Sequence, residues 1–273
     1  TVIQRSGAAL ALFVTAGFED VLALARLKVP DPYDLFSRRP EPLAPRERTY
    51  GIAERLLKDG SVETPLDPDS VRAAVAAARA AGADTIVVAF LHSYADGRHE
   101  RAARDIIRAE APEMSVTLSS EVWPVIREYE RTVTATVAGY VQRRVADYLT
   151  ALEGALAAAG VPAAPMIGKS SGGMMSTELG KTDSIAMLLS GTAAVVIGAA
   201  DIAARIGDSD VLSFDVGGTS ADVAVIRGGA PAFGVGELVG EFPIYVPTVS
   251  VTSIGEGGGS IAWVDEFGVL KVG

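Results

Sequence analysis

The chain contains no cysteine. Disulfide frameworks, thiolate metal sites and cysteine nucleophiles are therefore excluded, and a reducing, cytoplasmic location is the expectation. Histidine is nearly absent too: with only two, a three-histidine metal centre cannot be built. Positive charge is scarce, 24 Lys and Arg against 34 Asp and Glu, for a net charge of −10. No basic footprint for a nucleic-acid backbone follows from that balance. No apolar run reaches the roughly 18–20 residues that cross a bilayer, so neither nucleic acid nor membrane is expected as a partner. The opening TVIQRSGAALALFV has no initiator Met and no cleavage site of signal-peptide type, and reads as the interior of something longer. What is abundant is apolar: 49% hydrophobic residues against 21% charged, enough to bury a core. At roughly 100–200 residues per domain, 273 residues make one large or two modest domains.

Along the chain, ALALFVT (9–15) is a strand-like run, and Gly17 opens a helical pattern in FEDVLALAR. Residues 28–48 carry Pro30, Pro32, Pro40, Pro42 and Pro45, which predicts an ordered surface excursion. TYGIAERLLKDGSVETPL reads as a hairpin turning at Asp59-Gly60. Asp67 or Asp69 can cap the helix SVRAAVAAARAAG, which Gly82 stops. TIVVAFL (85–91) has the continuous apolar character of a strand covered on both faces. The helix RHERAARDIIRAE and the strand SVTLSS (115–120) complete a βαβ unit, so 85–91 and 115–120 are expected to be parallel neighbours. The class is α/β. Residues 121–158 are mainly helical, with Val133, Val137, Tyr140, Val141, Val145, Tyr148 and Leu149 placed for one buried stripe. PMIGKSSGGMMS runs into a Gly-rich turn, and IAMLLSGTAAVVIGAADIAARIG reads as a strand end, a turn and a small-residue helix. Short β segments dominate from 210, with 211–216 expected to pair antiparallel with 222–227 and a lobe border expected near 207–210.

The residues best suited to chemistry lie in Phe214-Asp215-Val216-Gly217-Gly218-Thr219-Ser220-Ala221-Asp222. Strands flank a Gly-Gly turn where backbone N–H groups can approach phosphate oxygens closely. Thr219 and Ser220 add hydroxyls there, and Asp215 and Asp222 offer the hard oxygen ligands that a Mg²⁺–phosphate complex uses, directly or through water. The competing reading is an ordinary hairpin whose glycines supply positive φ. Gly255-Glu256-Gly257-Gly258-Gly259-Ser260 is a second Gly-rich loop that could pass close to a nucleotide. Ser170-Ser171-Gly172-Gly173 and Ser190-Gly191-Thr192 are anion nests or simply structural turns and helix starts. His92, Asp96, His99 and Glu100 follow an apolar strand, where α/β proteins place ligands; a metal role for Asp96, His99 and Glu100 competes with helix capping by the imidazole. Arg127, Glu128, Tyr129, Glu130 and Arg131 form a dense cluster that either recognises a carboxylate or lines a solvated face.

At DVGGTSAD the chain resembles the hydantoinase A/5-oxoprolinase family, which also includes acetone- and acetophenone-carboxylase subunits. The resemblance extends through VTAGFEDVLALAR, FLHSYADGRHE, SSEVWPVIREYERTVTATVAGYV, SGGMMSTE, SGTAAVVIGA and SIGEGGGSIAWVD, in family order. It implies a partial actin-like ATPase (ribonuclease H-like) architecture, with two lobes closing on ATP and Mg²⁺. On that basis Asp215 and Asp222 are catalytic, and Asp215 faces Mg²⁺ directly or through water. Gly217, Gly218, Thr219, Ser220, Gly257, Gly258 and Gly259 then bind the nucleotide, with His99, Glu100 and Arg127 on the substrate side. The implied domains are an N-terminal region (1–118) without its first phosphate hairpin, a central part (119–209) and the start of a second nucleotide-binding lobe (210–273).

Some positions depart from the family pattern. Ala221 stands where Thr is usual, Thr192 where Pro is, Glu256 where Ala is, and Lys169-Ser170-Ser171-Gly172 replaces Gln-Ser-Asn-Gly. The implied activity is ATP-dependent opening of a cyclic amide of hydantoin or 5-oxoproline type, through phosphorylation of the amide oxygen. A ketone carboxylase subunit is the alternative, and a non-catalytic ATP-driven regulatory module the alternative of another class. A second hydantoinase B-type subunit or domain and an oligomer are the implied partners. The 273 residues alone are expected not to hydrolyse ATP at a useful rate.

Overall fold

The computed structural model describes residues 1–29 and 31–272, so Pro30 and Gly273 lie outside the described residues. The chain divides into two compact units: 1–164 with 177–185 and 236–246, and 165–176 with 186–235 and 247–273.

The first unit is built on a four-stranded sheet. Strands β1 (Leu10–Thr15), β2 (Thr49–Ile52), β3 (Thr85–Ala89) and β4 (Ser115–Leu118) lie in the order β2-β1-β3-β4. Every neighbouring pair is parallel, including β3 beside β4 as expected, with Thr85 opposite Ser115. Both central strands are wholly buried, which explains their unbroken apolar sequences. On one face, Ala11, Phe13, Ile86 and Val88 pack against helices α1 (Pro68–Ala80) and α2 (Arg98–Glu110). Asp67 caps α1 by accepting from the Asp69 N–H, and Gly82 just beyond its end has φ +74°.

The long helix α3 (Glu128–Ala158) covers the other face. Its first half is buried all round from Glu130 to Val141 rather than along a stripe, and Tyr148, expected inside, is 62% exposed. The reason lies elsewhere in the chain. Residues 236–246 form a small hairpin (Glu237–Val239 with Phe242–Ile244) that folds with this unit, and the Tyr245 N–H donates to Thr134 Oγ1 at 3.1 Å. The apolar period records one buried face, and this helix has two partners over its first turns.

Four local expectations change. FEDVLALAR is helical only over Val21–Leu24, and Ala25, Arg26 and Leu27 then all take positive φ. The arm Thr49–Ile52 joins the main sheet instead of a hairpin, which is confined to Arg55–Leu56 with Val62–Thr64 around Gly60. Residues 119–120 begin a short helix (Ser119–Val122) rather than ending a strand, and Ser184–Met187 is a 3₁₀ turn where a strand end was expected.

In the second unit, helix α4 (Ser190–Ile206) packs on a sheet containing β5 (Val211–Val216), β6 (Ala221–Arg227) and β7 (Thr252–Ile254), all antiparallel through β6. Ala193 and Val196 meet Ala224, Ile226 and Val249 in a small core. The texture change at 207–210 marks the end of α4, which Gly207 terminates at φ +80°.

Gly139 on α3 stands so close to the sheet that a Cβ would lie 2.8 Å from Val87 Cγ2 and 3.2 Å from Thr117 Oγ1. Gly139→Ala should gain about 1 kcal/mol of helix propensity but lose about 1–3 kcal/mol to overpacking, because Val87 is fully buried. A lower urea midpoint with unchanged m-value is expected; a higher midpoint would show that the helix backs away freely.

Candidate functional site

The residues singled out around the Gly-Gly turn are brought together within the second unit. In the β5–β6 register Asp215 stands opposite Asp222, and Asp222 stands opposite Ser253 of β7. Residues directly paired across antiparallel strands share a face, so three oxygen-bearing side chains form one row. Ser253 Oγ donates to Asp222 Oδ1 at 2.5 Å. Asp215 is exposed and Asp222 half-buried.

The turn that follows is closed by the Gly217 N–H donating to the Ser220 carbonyl at 2.8 Å. Neither Gly217 nor Gly218 adopts a positive φ, so the ordinary-hairpin explanation for the glycine pair does not hold. A Cβ on Gly218 would meet nothing within 4 Å and one on Gly217 only the Ser220 carbonyl at 3.4 Å, so the close approach of backbones falls on the glycines of the other loop. The Gly258 N–H donates to the Gly217 carbonyl at 2.8 Å, and the Gly259 N–H to the Gly218 carbonyl at 3.1 Å. A Cβ on Gly257 would sit 2.7 Å from both Gly217 O and Ser220 N, which are backbone atoms that cannot swing aside. The 255–260 loop is pinned from its own side as well: Gly257 N–H donates to Ser260 Oγ at 3.0 Å, and Ser260 N–H to the Gly257 carbonyl at 2.9 Å. Two Gly-rich loops 40 residues apart in sequence thus form one surface of peptide groups beside the Asp215-Asp222-Ser253 row.

Carboxylates and hydroxyls are hard donors, and backbone N–H groups without flanking Cβ atoms suit phosphate oxygens. The set fits a Mg²⁺–phosphate group. Among the described residues no three Asp, Glu or His side chains converge into a protein-only metal site, so any metal here would need ligand or water oxygens as well.

The remaining candidates lie elsewhere. Ser170–Gly173 is a hairpin turn with Gly172 and Gly173 at positive φ, and Ser190–Thr192 begins α4. His99, Glu100 and Arg127 belong to the first unit. His99 does not cap its helix: its Nδ1 is 2.8 Å from Glu54 Oε2, and Glu54 in turn accepts from Thr15 Oγ1. Glu100 has no exposed surface and accepts from the Phe90 N–H (2.9 Å), Ser119 Oγ (2.6 Å) and the Ser120 N–H (2.9 Å). Asp96 pairs with Arg98 and Arg101, and the Arg98 hydrogen bond holds its carboxyl below the usual range. The three weighed as a metal set therefore have separate partners.

The 127–131 cluster is solvated at Arg127 and buried at Glu130 and Arg131. Arg131 is buried, donating to the Phe90 carbonyl (2.6 Å), the Val125 carbonyl (2.9 Å) and Ser119 Oγ (3.1 Å), and burial pushes its guanidinium pKa down. Glu130 is buried against Arg26, and Arg127, its side chain 71% exposed, is among the residues lining a cavity of about 1050 Å³. Ser253 and the cavity arginines Arg26 and Arg39 were not singled out by pattern. The long Pro-rich excursion was the available signal, since loops of that length in compact domains are usually functional.

Residues 131–273 match the family described as Hydantoinase/oxoprolinase, and residues 1–111 match its N-terminal region. The chain belongs to the hydantoinase/oxoprolinase family. Among relatives of this family, the acetophenone carboxylase gamma subunit of Aromatoleum aromaticum is 34% identical over 100% of this chain and 39% of its own length. The solved ATP-dependent caprolactamase from Pseudomonas jessenii superposes with a TM-score of 0.90 at 30% identity, over 99% of this chain and 40% of that one. Nucleotide-free acetone carboxylase gives a TM-score of 0.82 at 29% identity, over 100% of this chain and 40% of that one. The chain thus spans about two fifths of the length of these hydantoinase/oxoprolinase relatives. Among the described residues no helix is long and apolar enough to cross a membrane.

Gly257→Ala should force the two loops apart. Losing the Gly258 and Gly259 hydrogen bonds, at about 1 kcal/mol each, should speed exchange of those two amides about 5- to 30-fold. Hydrogen-exchange mass spectrometry over 255–260 reads this, and unchanged protection would show that the contact tolerates a side chain.

Proposed function

We propose that this chain supplies phosphate-binding machinery to an ATP-dependent hydrolase that opens a cyclic amide. The carrying observation is the joined surface of the 217–220 and 255–260 loops beside Asp215, Asp222 and Ser253. In this reading Asp215 faces Mg²⁺, directly or through water, because it is the exposed carboxylate of the pair while Asp222 is engaged by Ser253. The N–H groups of Gly218 and Thr219, which are not among the donors that join the loops, and the hydroxyls of Thr219 and Ser220 hold phosphate oxygens, and the glycines keep side chains out of the way. When bound, ATP supplies a phosphoryl group that turns an amide oxygen into a leaving group. The antiparallel β5–β6 hairpin is the element that an actin-like ATPase uses for its phosphates, which makes that architecture our reading of the fold. The family relationship and the likeness to an ATP-dependent caprolactamase support the hydrolase.

A second reading, ketone carboxylation with the same phosphate machinery, is favoured by the 34% identity to an acetophenone carboxylase subunit. Both readings entail a partner subunit or domain, since relatives bear the names of alpha, beta and gamma subunits. Phosphate release stimulated by a lactam, but not by a ketone with bicarbonate, separates them.

Asp215→Asn tests the shared part. Titration with ATP is expected to show at least tenfold weaker binding in Mg²⁺ and no change in EDTA, and phosphate release should fall by about 100-fold or more wherever turnover is measured. Melting should be unaffected, since the carboxylate is exposed. A folded variant with the wild-type response to Mg²⁺ removes Asp215 from the metal side.

A further inference from the structure

The cavity of about 1050 Å³ in the first unit has no role in the phosphate machinery. Its wall carries four cations, Arg26, Lys28, Arg39 and Arg127, against two acids, Glu130 and Glu241. That excess is notable in a chain of net charge −10. Both acids are already spent. Arg26 grips Glu130 through two hydrogen bonds (3.2 and 2.5 Å), and Glu241 pairs with Arg5 at 3.2 Å. Lys28, Arg39 and Arg127 are left without a close carboxylate among the described residues; Arg127 comes no nearer than 4.0 Å to Glu130.

Arg39 carries a sharper signal. Its terminal nitrogen donates to the Ala23 carbonyl at 3.2 Å, but its Nε is buried with no partner. A buried donor left unsatisfied is costly, so such atoms mark places where another acceptor belongs. Tyr129 and Tyr245 also line the cavity, and burial, reinforced by Glu130, keeps both phenols protonated to higher pH than usual, as donors. Apart from Thr136, whose hydroxyl donates to the Thr132 carbonyl, the rest of the wall is apolar, including Leu22, Leu43, Val133, Leu238 and Phe242. The local backbone is held in a costly shape: Ala25, Arg26 and Leu27 are consecutive non-glycine residues at positive φ, a pattern that clusters at ligand clamps.

We propose that this cavity binds a small organic carboxylate with a compact apolar body, its anionic end held by Arg39 and Arg127. Cations and phenol donors alone would equally suit phosphate. The apolar wall favours an organic ligand, and the planar fork of a guanidinium matches a carboxylate in bidentate fashion. The inference rests on the first unit only and is independent of the nucleotide reading.

The test is calorimetric titration of this chain, without nucleotide, against cyclohexanecarboxylate, cyclohexanecarboxamide, acetate and inorganic phosphate. One-to-one binding of cyclohexanecarboxylate is expected, with the carboxamide at least tenfold weaker for want of charge and acetate at least tenfold weaker for want of apolar contact. R39Q and R127Q should each weaken cyclohexanecarboxylate about 10- to 100-fold. Equal affinity for the carboxamide, or phosphate binding as tight as the carboxylate, overturns the proposal. So does a doubly substituted chain that keeps both its melting temperature and its affinity. If the variants fail to fold, amide shift mapping of the wild type decides: cyclohexanecarboxylate must perturb residues 127–136 and 238–245, and perturbation confined elsewhere rejects the site. Because nucleotide is absent throughout, failure here leaves the Asp215 test untouched.

Discussion

A buried carboxylate organises the first unit. Glu100 sits in the first turn of α2 with no access to water, and such a charge is tolerated only when donors replace its hydration. Those donors come from just past the ends of two parallel strands: the Phe90 N–H after β3, and Ser119 and Ser120 after β4. Arg131 completes the arrangement from α3, meeting Glu100 through the shared Ser119 hydroxyl and taking the Phe90 carbonyl as well. One polar relay thus fixes two strand ends, a helix start and the long helix across the sheet. In strand order β2-β1-β3-β4 this is beside the point where the winding reverses, the usual ligand crevice of an open α/β sheet. Here the protein's own side chains fill it, and Thr15 adds to the closure by accepting from the Leu91 N–H at 2.9 Å.

The second unit treats carboxylates in the opposite way. Of the facing pair on its strands, Asp215 stays in solvent and Asp222 is engaged by a neighbouring hydroxyl. The peptide groups there hold one another: the Gly217, Gly258 and Gly259 N–H groups donate to carbonyls within the two loops and tie the 255–260 loop to the 217–220 turn. That mutual bonding fixes the shape of the turn around the N–H groups of Gly218 and Thr219. The structure therefore sets acidic residues in two environments: Glu100 buried among donors from several elements, and Asp215 exposed on a strand.

Much of this was legible in sequence where a local rule suffices. The strands 10–15 and 85–89 announce themselves by unbroken apolar runs, Asp67 and Gly82 bracket a helix, and the 211–227 hairpin is apparent from its Gly-Gly turn. Reading failed where a segment had two partners or none of its own. FEDVLALAR carries helical spacing, yet three positive-φ residues end it early to aim Arg26 at Glu130. Tyr148 keeps the period of the buried stripe and is exposed, while Thr134 and Thr136, polar by sequence, are buried beneath a hairpin more than 90 residues downstream.

The sequence by itself determined the class of the fold, the family, and which short segments could bring oxygen ligands and glycines to one turn, since each depends on residue order over a few positions. Tertiary structure decided what those residues do. Whether Glu100 and His99 are ligands or interior supports depends on what surrounds them: Glu100 meets donors from other elements, and His99 meets the Glu54 carboxylate. Whether Gly257 is a flexible loop residue or a close-packing contact depends on a backbone 40 residues earlier in the chain, which a Cβ at this position would approach to 2.7 Å. Burial and approach distance are properties of neighbours distant in sequence, so no local pattern records them.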